Sequence, residues 1–337
     1  MTTTLTRLTT LALALSAALL TAAADAPKTM TAVRMQSFGG PEVLKVEQIP
    51  VPSPGEGEVL VRVHAAGVNP VDWKVREGML KGYSPQPPAT PGYDVAGVVE
   101  AIGTGVEGVK TGDEVFAYLS IQRGGGYAQY AIVKAGEAAI KPKALDFNHA
   151  AATPLAALTA WQALIDTAKI QAGQTVLVHG GSGGVGHFAV QIAKAKGAKV
   201  IATASGANQE FLKALGADQI INYRTQKFEE LCKDVDVVLD TVGGDTLAHS
   251  YQVVKPGGII VSIVGPPDAA KLKERGIRGT AIMVRPNGKQ LAEIAQLIAA
   301  GKITPTVGET FKLEEAAKAQ EKSKAGGTRG KIVLVVE

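Results

Sequence analysis

A glycine-rich run between an apolar strand and a helical segment is the part of this sequence best suited to chemistry. It spans residues 179–186, and within it Gly181-x-Gly183-x-x-Gly186 fits the spacing at which a backbone approaches a pyrophosphate. Missing side chains let phosphate oxygens reach unpaired N–H groups at the positive end of a helix dipole. The sequence therefore predicts a dinucleotide site, formed by Gly181, Ser182, Gly183, Gly184, Val185 and Gly186.

The end of the second strand indicates which dinucleotide is bound. An Asp or Glu about 20 residues beyond the glycines would bind the ribose 2′-hydroxyl of NAD. The segment of residues 201–206 has no acid, so nothing there repels a 2′-phosphate, and Ser205 and Asn208 are placed to hydrogen-bond it. No arginine stands beside this segment in the sequence. We predict NADP(H) as the cofactor.

The elements around this run predict an α/β fold. Residues 175–265 alternate between apolar Val/Ile/Leu strands and helical segments, which is typical of a doubly wound parallel sheet of the Rossmann type. Residues 30–139 show short apolar stretches separated by Gly and Pro and predict an all-β unit. An Ala-rich segment, 150–168, has helical spacing. The predicted division is a β-rich domain at 30–150, a nucleotide-binding domain at 151–285 and a C-terminal return at 286–337.

Composition excludes several classes of partner. The net charge of +4 is spread along the chain rather than gathered in basic blocks, which argues against nucleic acid and anionic membranes. The single cysteine, Cys232, permits neither an intrachain disulfide nor a cysteine-rich zinc knuckle. A small-molecule substrate is the partner that remains.

The first residues have the pattern of a signal peptide. Arg7 precedes the apolar run of residues 11–20, which is too short to span a bilayer, and Ala22-x-Ala24 offers a cleavage site. This pattern predicts a signal peptide at 1–24 and a periplasmic or secreted protein that begins at Asp25. The alternative is a cytoplasmic protein whose translation starts at Met30. A site for NADP(H) favours that alternative, but we give the leader more weight.

Beyond the glycine run, the sequence resembles the medium-chain dehydrogenase/reductase superfamily, in its zinc-free quinone oxidoreductase (ζ-crystallin-like) and enoyl reductase branch. The resemblance covers nearly everything after Met30. It implies a GroES-like β domain that holds the substrate, a Rossmann domain, a C-terminal return to the first domain and an active site between the two. The segments that carry it are residues 38–44, 67–72, 91–97, 154–164 and 255–258.

The same resemblance suggests individual site residues. Zinc-dependent relatives have Cys at the position of Asn69 and His at that of Tyr93, so an amide and a phenol replace two metal ligands here and imply a metal-free site. We consider both residues as catalytic candidates. Asn69 either faces the nicotinamide or the substrate oxygen, or forms hydrogen bonds to its own backbone. Tyr93 either donates a proton or packs in the interior. Tyr223 matches a position where relatives stack a tyrosine near the adenosine phosphate, with a surface aromatic as the alternative. Lys331 matches a lysine that some relatives direct into the cofactor cleft, with a solvated lysine before the last strand as the alternative.

Without a Lewis acid to stabilise an alkoxide, reduction of an activated acceptor is the better-suited chemistry. The resemblance implies an NADPH-dependent oxidoreductase that passes hydride to a quinone or an α,β-unsaturated carbonyl compound. A nucleotide-binding sensor or structural protein with little turnover is one alternative, and an alcohol dehydrogenase-like enzyme is another. The resemblance does not determine the oligomeric state, and a homodimer is one alternative.

Overall fold

The described part of the chain, residues 27–336 of a computed structural model, forms two sheet-based units joined by helices. The first unit contains strands that are rich in buried Val and Ala, and it includes one helix, α1 (Pro70–Arg76). Pro70 begins this helix, where its missing N–H costs nothing. The expectation of an all-β unit was wrong at this point. The strands are β1 (Thr29–Met35), β2 (Leu44–Pro50), β3 (Glu58–Val68), β4 (Asp94–Ile102), β5 (Glu114–Tyr118), β6 (Tyr130–Lys134) and β7 (Ala138–Ile140).

Two helices connect this unit to the next. The sequence predicts one helical segment over 150–168, whereas the structure has α2 (Phe147–Ala151), α3 (Pro154–Trp161) and a π-helical stretch, Gln162–Thr167. Pro154 explains the break, because it lacks the N–H that would continue the helical hydrogen bonds. All eight residues of α3 are buried.

The second unit is a six-stranded parallel sheet with the order β10-β9-β8-β11-β12-β13. Counted from β8, this is the order 3-2-1-4-5-6 of a Rossmann fold, so the predicted fold class is confirmed. The predicted alternation omitted α8 and β13, which are short and largely exposed. Its elements are β8 (Thr175–Val178), α4 (Gly186–Ala195), β9 (Lys199–Ala204), α5 (Gln209–Ala214), β10 (Gln219–Asn222), α6 (Phe228–Leu231), β11 (Val235–Asp240), α7 (Gly244–Ser250), β12 (Val254–Ser262), α8 (Ala269–Arg275) and β13 (Arg278–Ala281).

The C-terminal residues return to the first unit. They form α9 (Gly288–Ala299), β14 (Val307–Lys312), α10 (Ala316–Ala325) and β15 (Lys331–Val335). Strand β15 pairs antiparallel with β3, which places it in the first unit's seven-stranded sheet. The domain limits at residues 150 and 285 stay a prediction. The return matters for function because β15 starts directly beside the glycine-rich loop, where the backbone N–H of Gly330 donates to the carbonyl of Ser182 at 2.9 Å.

Candidate functional site

A cleft of about 990 Å³ lies between the two units, at the carboxyl ends of β8, β9 and β11. This is the position at which doubly wound sheets bind ligands, where the strand order reverses. The cleft is lined by the first unit, by the Rossmann sheet and by the start of β15. Ten of the residues selected from the sequence line it: Asn69, Ser182, Gly183, Gly184, Val185, Gly186, Ser205, Asn208, Tyr223 and Lys331.

The glycines of the loop have different structural tasks. A Cβ added at Gly186 would overlap the carbonyl oxygen of Gly180 and lie 2.8 Å from the Cα of Gly181, so Gly186 is required for close packing of helix on loop. A Cβ at Gly181 would lie 2.9 Å from the Cβ of Ala202, beneath the loop. At Gly183 a Cβ would meet only the carbonyl of Gly180, at 3.4 Å, and otherwise open space. Gly183 therefore keeps the cleft open in front of α4.

Two buried histidines hold this loop, although the sequence assigned them no role. The His179 ring bonds Thr203 Oγ1 at 3.2 Å and Ser250 Oγ at 3.0 Å. His187 Nδ1 lies 2.9 Å from the carbonyl of Gly183, and its Nε2 accepts the N–H of Thr306 at 3.3 Å. Burial lowers the pKa of both rings to about 4, so they act as neutral hydrogen-bonding groups near neutral pH.

The tertiary structure brings an arginine to the end of β9, where the sequence shows none. Asn208 donates to Ser205 Oγ at 3.1 Å, and its own Oδ1 accepts Arg329 Nε at 3.0 Å. Arg329 also donates to the carbonyl of Ala207 at 3.1 Å, and its guanidinium lies 5.0 Å from the centre of the Phe211 ring. Positive charge therefore stands beside Ser205 and Asn208, from a residue 121 positions away in the sequence.

At the opposite end, Asn69 and Lys331 form the floor of the cleft. Lys331 Nζ donates to the carbonyl of Val68 at 2.8 Å and to Asn69 Oδ1, and it lies 3.6 Å from Asp94 Oδ2. Asn69 Nδ2 donates to the same carboxylate oxygen at 2.8 Å. The amide is thus engaged by Lys331 and Asp94 rather than by its own backbone. One of its two Nδ2 hydrogens remains for a ligand.

Sequence reasoning missed the acidic residues that support this floor, Asp72 and Asp94. Asp72 Oδ2 accepts the backbone N–H of Asn69 at 2.5 Å and the Tyr127 hydroxyl at 2.8 Å, and burial raises the pKa of Asp72 to about 7. An acidic residue three positions after Asn69 is a helix-capping signal and could have indicated Asp72. Nothing in the sequence pattern distinguishes Asp94.

The structure places Tyr93, for which the sequence left two roles open, in the interior. Its side chain is 1% exposed and is absent from the residues that line the cleft. Burial raises the pKa of its hydroxyl, with a further contribution from the charge of Asp72. The structure therefore offers no path for proton donation from Tyr93 to a ligand, and of the two interpretations it matches packing. The neighbouring residue, Asp94, contacts the cleft residues Asn69 and Lys331.

Comparison with known proteins places the chain in a family. Two family profiles match it, "Alcohol dehydrogenase GroES-like domain" over residues 55–143 and "Zinc-binding dehydrogenase" over residues 215–334. The quinone oxidoreductase of Sus scrofa is 37% identical over 93% of this chain and all of that protein. The chloroplastic NADPH-dependent alkenal/one oxidoreductase of Arabidopsis thaliana is 38% identical over 93% of this chain and 81% of that protein. The quinone oxidoreductase structure from Coxiella burnetii matches with a TM-score of 0.84 and 36% identity, over 92% of this chain and all of that one.

The chain belongs to the medium-chain dehydrogenase/reductase superfamily. It is an oxidoreductase, as the sequence predicted, and its family uses a nicotinamide cofactor. The cleft fits that cofactor, because a helix N-terminus, an open glycine and a row of polar groups follow one another along it. Within residues 27–336, no three His, Cys, Asp or Glu side chains gather into a group that could hold a metal ion.

The prediction of a periplasmic or secreted medium-chain dehydrogenase/reductase is wrong. Quinone oxidoreductases are among the relatives that the chain matches along their whole length, and their family uses a nicotinamide cofactor, which cells make and recycle internally. The leader pattern had predicted export, and the requirement for a nicotinamide cofactor argues against export. The predicted signal peptide itself lies outside the described residues. Within the described range, no helix is both long and apolar enough to cross a membrane.

The different surroundings of the glycines predict different effects of substitution. Gly183→Val should leave the fold intact, because space is open there, and should weaken binding of the dinucleotide by about tenfold or more, since the side chain enters the pyrophosphate's path. Gly186→Ala should instead destabilise the protein by about 1–3 kcal/mol through overlap with Gly180. Thermal unfolding and titration of NADPH fluorescence measure the two effects. Tight binding by folded Gly183→Val would refute this placement of the pyrophosphate.

Proposed function

We propose that this oxidoreductase uses NADPH to reduce a quinone or an α,β-unsaturated carbonyl compound, without a zinc ion. The observation that carries the proposal is the distribution of polar groups along one cleft. A cation and two neutral polar side chains stand at the end of β9, and a single amide and ammonium stand on an otherwise apolar floor. The names of the quinone and alkenal/one oxidoreductases among its relatives support the same reaction class.

The end of β9 supports the preference for NADPH. A 2′-phosphate there would meet Ser205, Asn208 and the Arg329 guanidinium, and the β9 segment supplies no carboxylate to repel it. Arg224 and Lys227 also line this end of the cleft, beside Tyr223. Charge-assisted hydrogen bonds to phosphate are stronger than bonds between neutral groups, so this arrangement favours the phosphorylated cofactor.

The other end of the cleft suits an uncharged acceptor. Val68, Pro70, Leu155, Ala156 and Ile263 supply apolar walls there. The bound nicotinamide supplies the hydride, which adds two electrons and one proton to the acceptor, and a second proton comes from solvent. The free N–H of Asn69 can donate to the acceptor oxygen, on which negative charge develops as hydride arrives. The chain's own contribution is to position both reactants and stabilise that charge.

The donor atoms at the site support a reaction without zinc. The oxygen of the Asn69 amide, its only atom that could ligate a metal, accepts from Lys331. Tyr93 is packed in the interior, and Cys232 is buried near Phe228, whose carbonyl accepts from its thiol at 3.1 Å. A catalytic zinc needs three protein ligands with suitable donor atoms, which these positions do not supply.

A homodimer also stays a prediction, with β13 as an edge strand available for pairing.

The proposed reaction predicts NADPH oxidation that depends on an acceptor. Purified protein should consume NADPH, followed by its absorbance, in the presence of members of a panel of quinones, enones and enoyl thioesters. Simple alcohols with NADP⁺ should give no comparable rate. Binding of NADPH without turnover of any acceptor would instead support the sensor or structural alternative, and rapid alcohol oxidation would contradict the proposed reaction class.

Zinc independence predicts that a chelator has no effect on the reaction rate. Extended dialysis against a chelator should leave the acceptor-dependent rate unchanged, because neither Asn69 nor Tyr93 offers a zinc ligand. Elemental analysis of the purified protein checks this directly. About one zinc per chain, together with loss of activity on its removal, would contradict the prediction.

Cofactor preference should respond to charge at the end of β9. Ala204→Asp places a carboxylate in the cleft and should shift the ratio of NADPH to NADH affinity toward NADH by about tenfold or more. Arg329→Ala should weaken NADPH by about tenfold and leave NADH nearly unchanged, since only NADPH has the 2′-phosphate. Arg275→Ala, at an exposed arginine of α8 that bonds the carbonyl of Gln252 rather than Asn208, is the matched control. Equal losses for both cofactors in Arg329→Ala would rule out this role.

A further inference from the structure

Asp94 is a buried carboxylate at the cleft floor that the proposed reaction does not use directly. It is 0% exposed and stands at the start of β4 in the first unit. Its Oδ1 accepts the backbone N–H of Leu155 at 2.7 Å, in the first turn of α3. Its Oδ2 accepts Asn69 Nδ2 at 2.8 Å and lies 3.6 Å from Lys331 Nζ. One carboxylate thereby joins β4, α3 and the two polar residues of the floor.

We propose that Asp94 is a positioning residue of the site: its carboxylate holds the Lys331 side chain as an ammonium ion and fixes the orientation of the Asn69 amide. The proposal rests on the NADP(H) site proposed above, because Lys331 and Asn69 act on a ligand only if that cofactor occupies the cleft. Asp94 itself does not line the cleft.

The hydrogen-bond pattern determines the orientation of the amide. Asn69 Oδ1 receives a bond from Lys331 Nζ, and Asn69 Nδ2 gives a bond to Asp94 Oδ2. Reversing the amide would set an N–H against the ammonium and a carbonyl oxygen against the carboxylate. The opposite charges of Lys331 and Asp94 therefore allow one orientation, and that orientation directs the remaining N–H of Asn69 as a donor.

The surrounding charges explain why Lys331 needs the Asp94 carboxylate to keep its proton. Burial lowers the pKa of Lys331, and the charges of Asp94 and Asp72 oppose that effect. His187, from α4, is neutral near pH 7 because burial lowers its pKa to about 4, and Tyr127 and Tyr118 are neutral because burial raises theirs. Burial raises the pKa of Asp94 as well, while Lys331, Asn69 and Leu155 lower it.

Of the two buried acids, Asp94 is the one beside the ammonium. Asp72 makes its hydrogen bonds to the Asn69 backbone and to Tyr127, on the α1 side of the floor. Without the charge of Asp94, the pKa of Lys331 should fall further, so that the lysine loses its proton at a lower pH. The cleft would then lose its positive floor, next to Gly184 of the glycine loop, where a Cβ would lie 3.1 Å from Lys331 Cδ.

The test is the pH dependence of NADPH binding in Asp94→Asn, measured by cofactor fluorescence at about pH 7 and about pH 9. Asp72, whose pKa burial raises to about 7, gains charge over this range in both proteins, so each variant is compared with wild type. Relative to wild type, Asp94→Asn should lose about tenfold or more in affinity between the lower and the higher pH. The sign follows from the lysine, which is charged below its pKa and neutral above it. The double variant Asp94→Asn/Lys331→Arg should lose this pH dependence, because a guanidinium keeps its charge.

Two controls separate charge from structure. Asp72→Asn removes an equally buried acid that has no hydrogen bond to Lys331, and it should show a smaller pH effect than Asp94→Asn. In the protein without cofactor, trace labelling with acetic anhydride, read by mass spectrometry of the peptide that contains Lys331, reports the neutral amine. Labelling should begin at lower pH in Asp94→Asn than in wild type. Thermal unfolding establishes that each variant is folded.

The outcomes are distinct. An equal loss of affinity at both pH values, or the same profile in Asp72→Asn and Asp94→Asn, would overturn the proposal and leave Asp94 with a structural role. Unchanged labelling of Lys331 would overturn it as well, even if the double variant failed to fold. If wild-type protein bound no NADPH, the proposed cofactor would fail, while the labelling experiment would still decide whether Asp94 keeps Lys331 charged.

Discussion

The cleft depends on one buried set of charges, the contact of Lys331 with Asn69 and Asp94. Removing an ammonium and a carboxylate from water is unfavourable unless each regains partners. Here Lys331 donates to two oxygens, and Asp94 accepts from the Asn69 amide and from the Leu155 backbone. Because β3, β4 and β15 share the first unit's sheet and α3 belongs to the connection between the units, the set can form only when the C-terminal return has entered that sheet. The polar floor therefore depends on the C-terminal return.

The glycine loop is held between the same two units. The backbone N–H of Gly330 bonds the Ser182 carbonyl, and His187 links the Gly183 carbonyl to the N–H of Thr306. These contacts come from the C-terminal return, just before β14 and β15. A glycine loop has few side chains with which to stabilise its own conformation. Hydrogen bonds from neighbouring elements stabilise it instead, and this requires the C-terminal return to pass beside the loop.

Chemistry in this superfamily member is set by residue types at a few positions on a shared fold, since a fold alone does not determine a reaction. A profile named for zinc-binding dehydrogenases matches residues 215–334, yet the position where zinc-dependent relatives have Cys holds Asn69. An amide bound between an ammonium and a carboxylate is a hydrogen-bond donor of defined direction. Under the proposed function, this amide would stabilise a developing oxyanion rather than bind a metal ion.

The sequence by itself determined what depends on local spacing. The glycine run, the β-α alternation after it and the resemblance of short segments predicted the fold class and the loop at the mouth of the cleft, because each is encoded within a few consecutive residues. The same local reasoning left both proton donation and packing open for Tyr93, which is buried, and overlooked Asp94 beside it. It also gave the leader pattern more weight than the cofactor requirement of the family warranted.

Only the tertiary structure decided which distant residues meet. Asn69 and Lys331 are separated by 262 positions, Asp94 and Leu155 by 61, and Asn208 and Arg329 by 121. No periodicity predicts such pairs. The first and the third form when β15 enters the sheet of the first unit and brings Arg329 and Lys331 to the cleft, and the second forms when α3 packs beside the start of β4. Burial then shifts the pKa of the groups enclosed there, and that shift is a property of the assembled site rather than of any residue type.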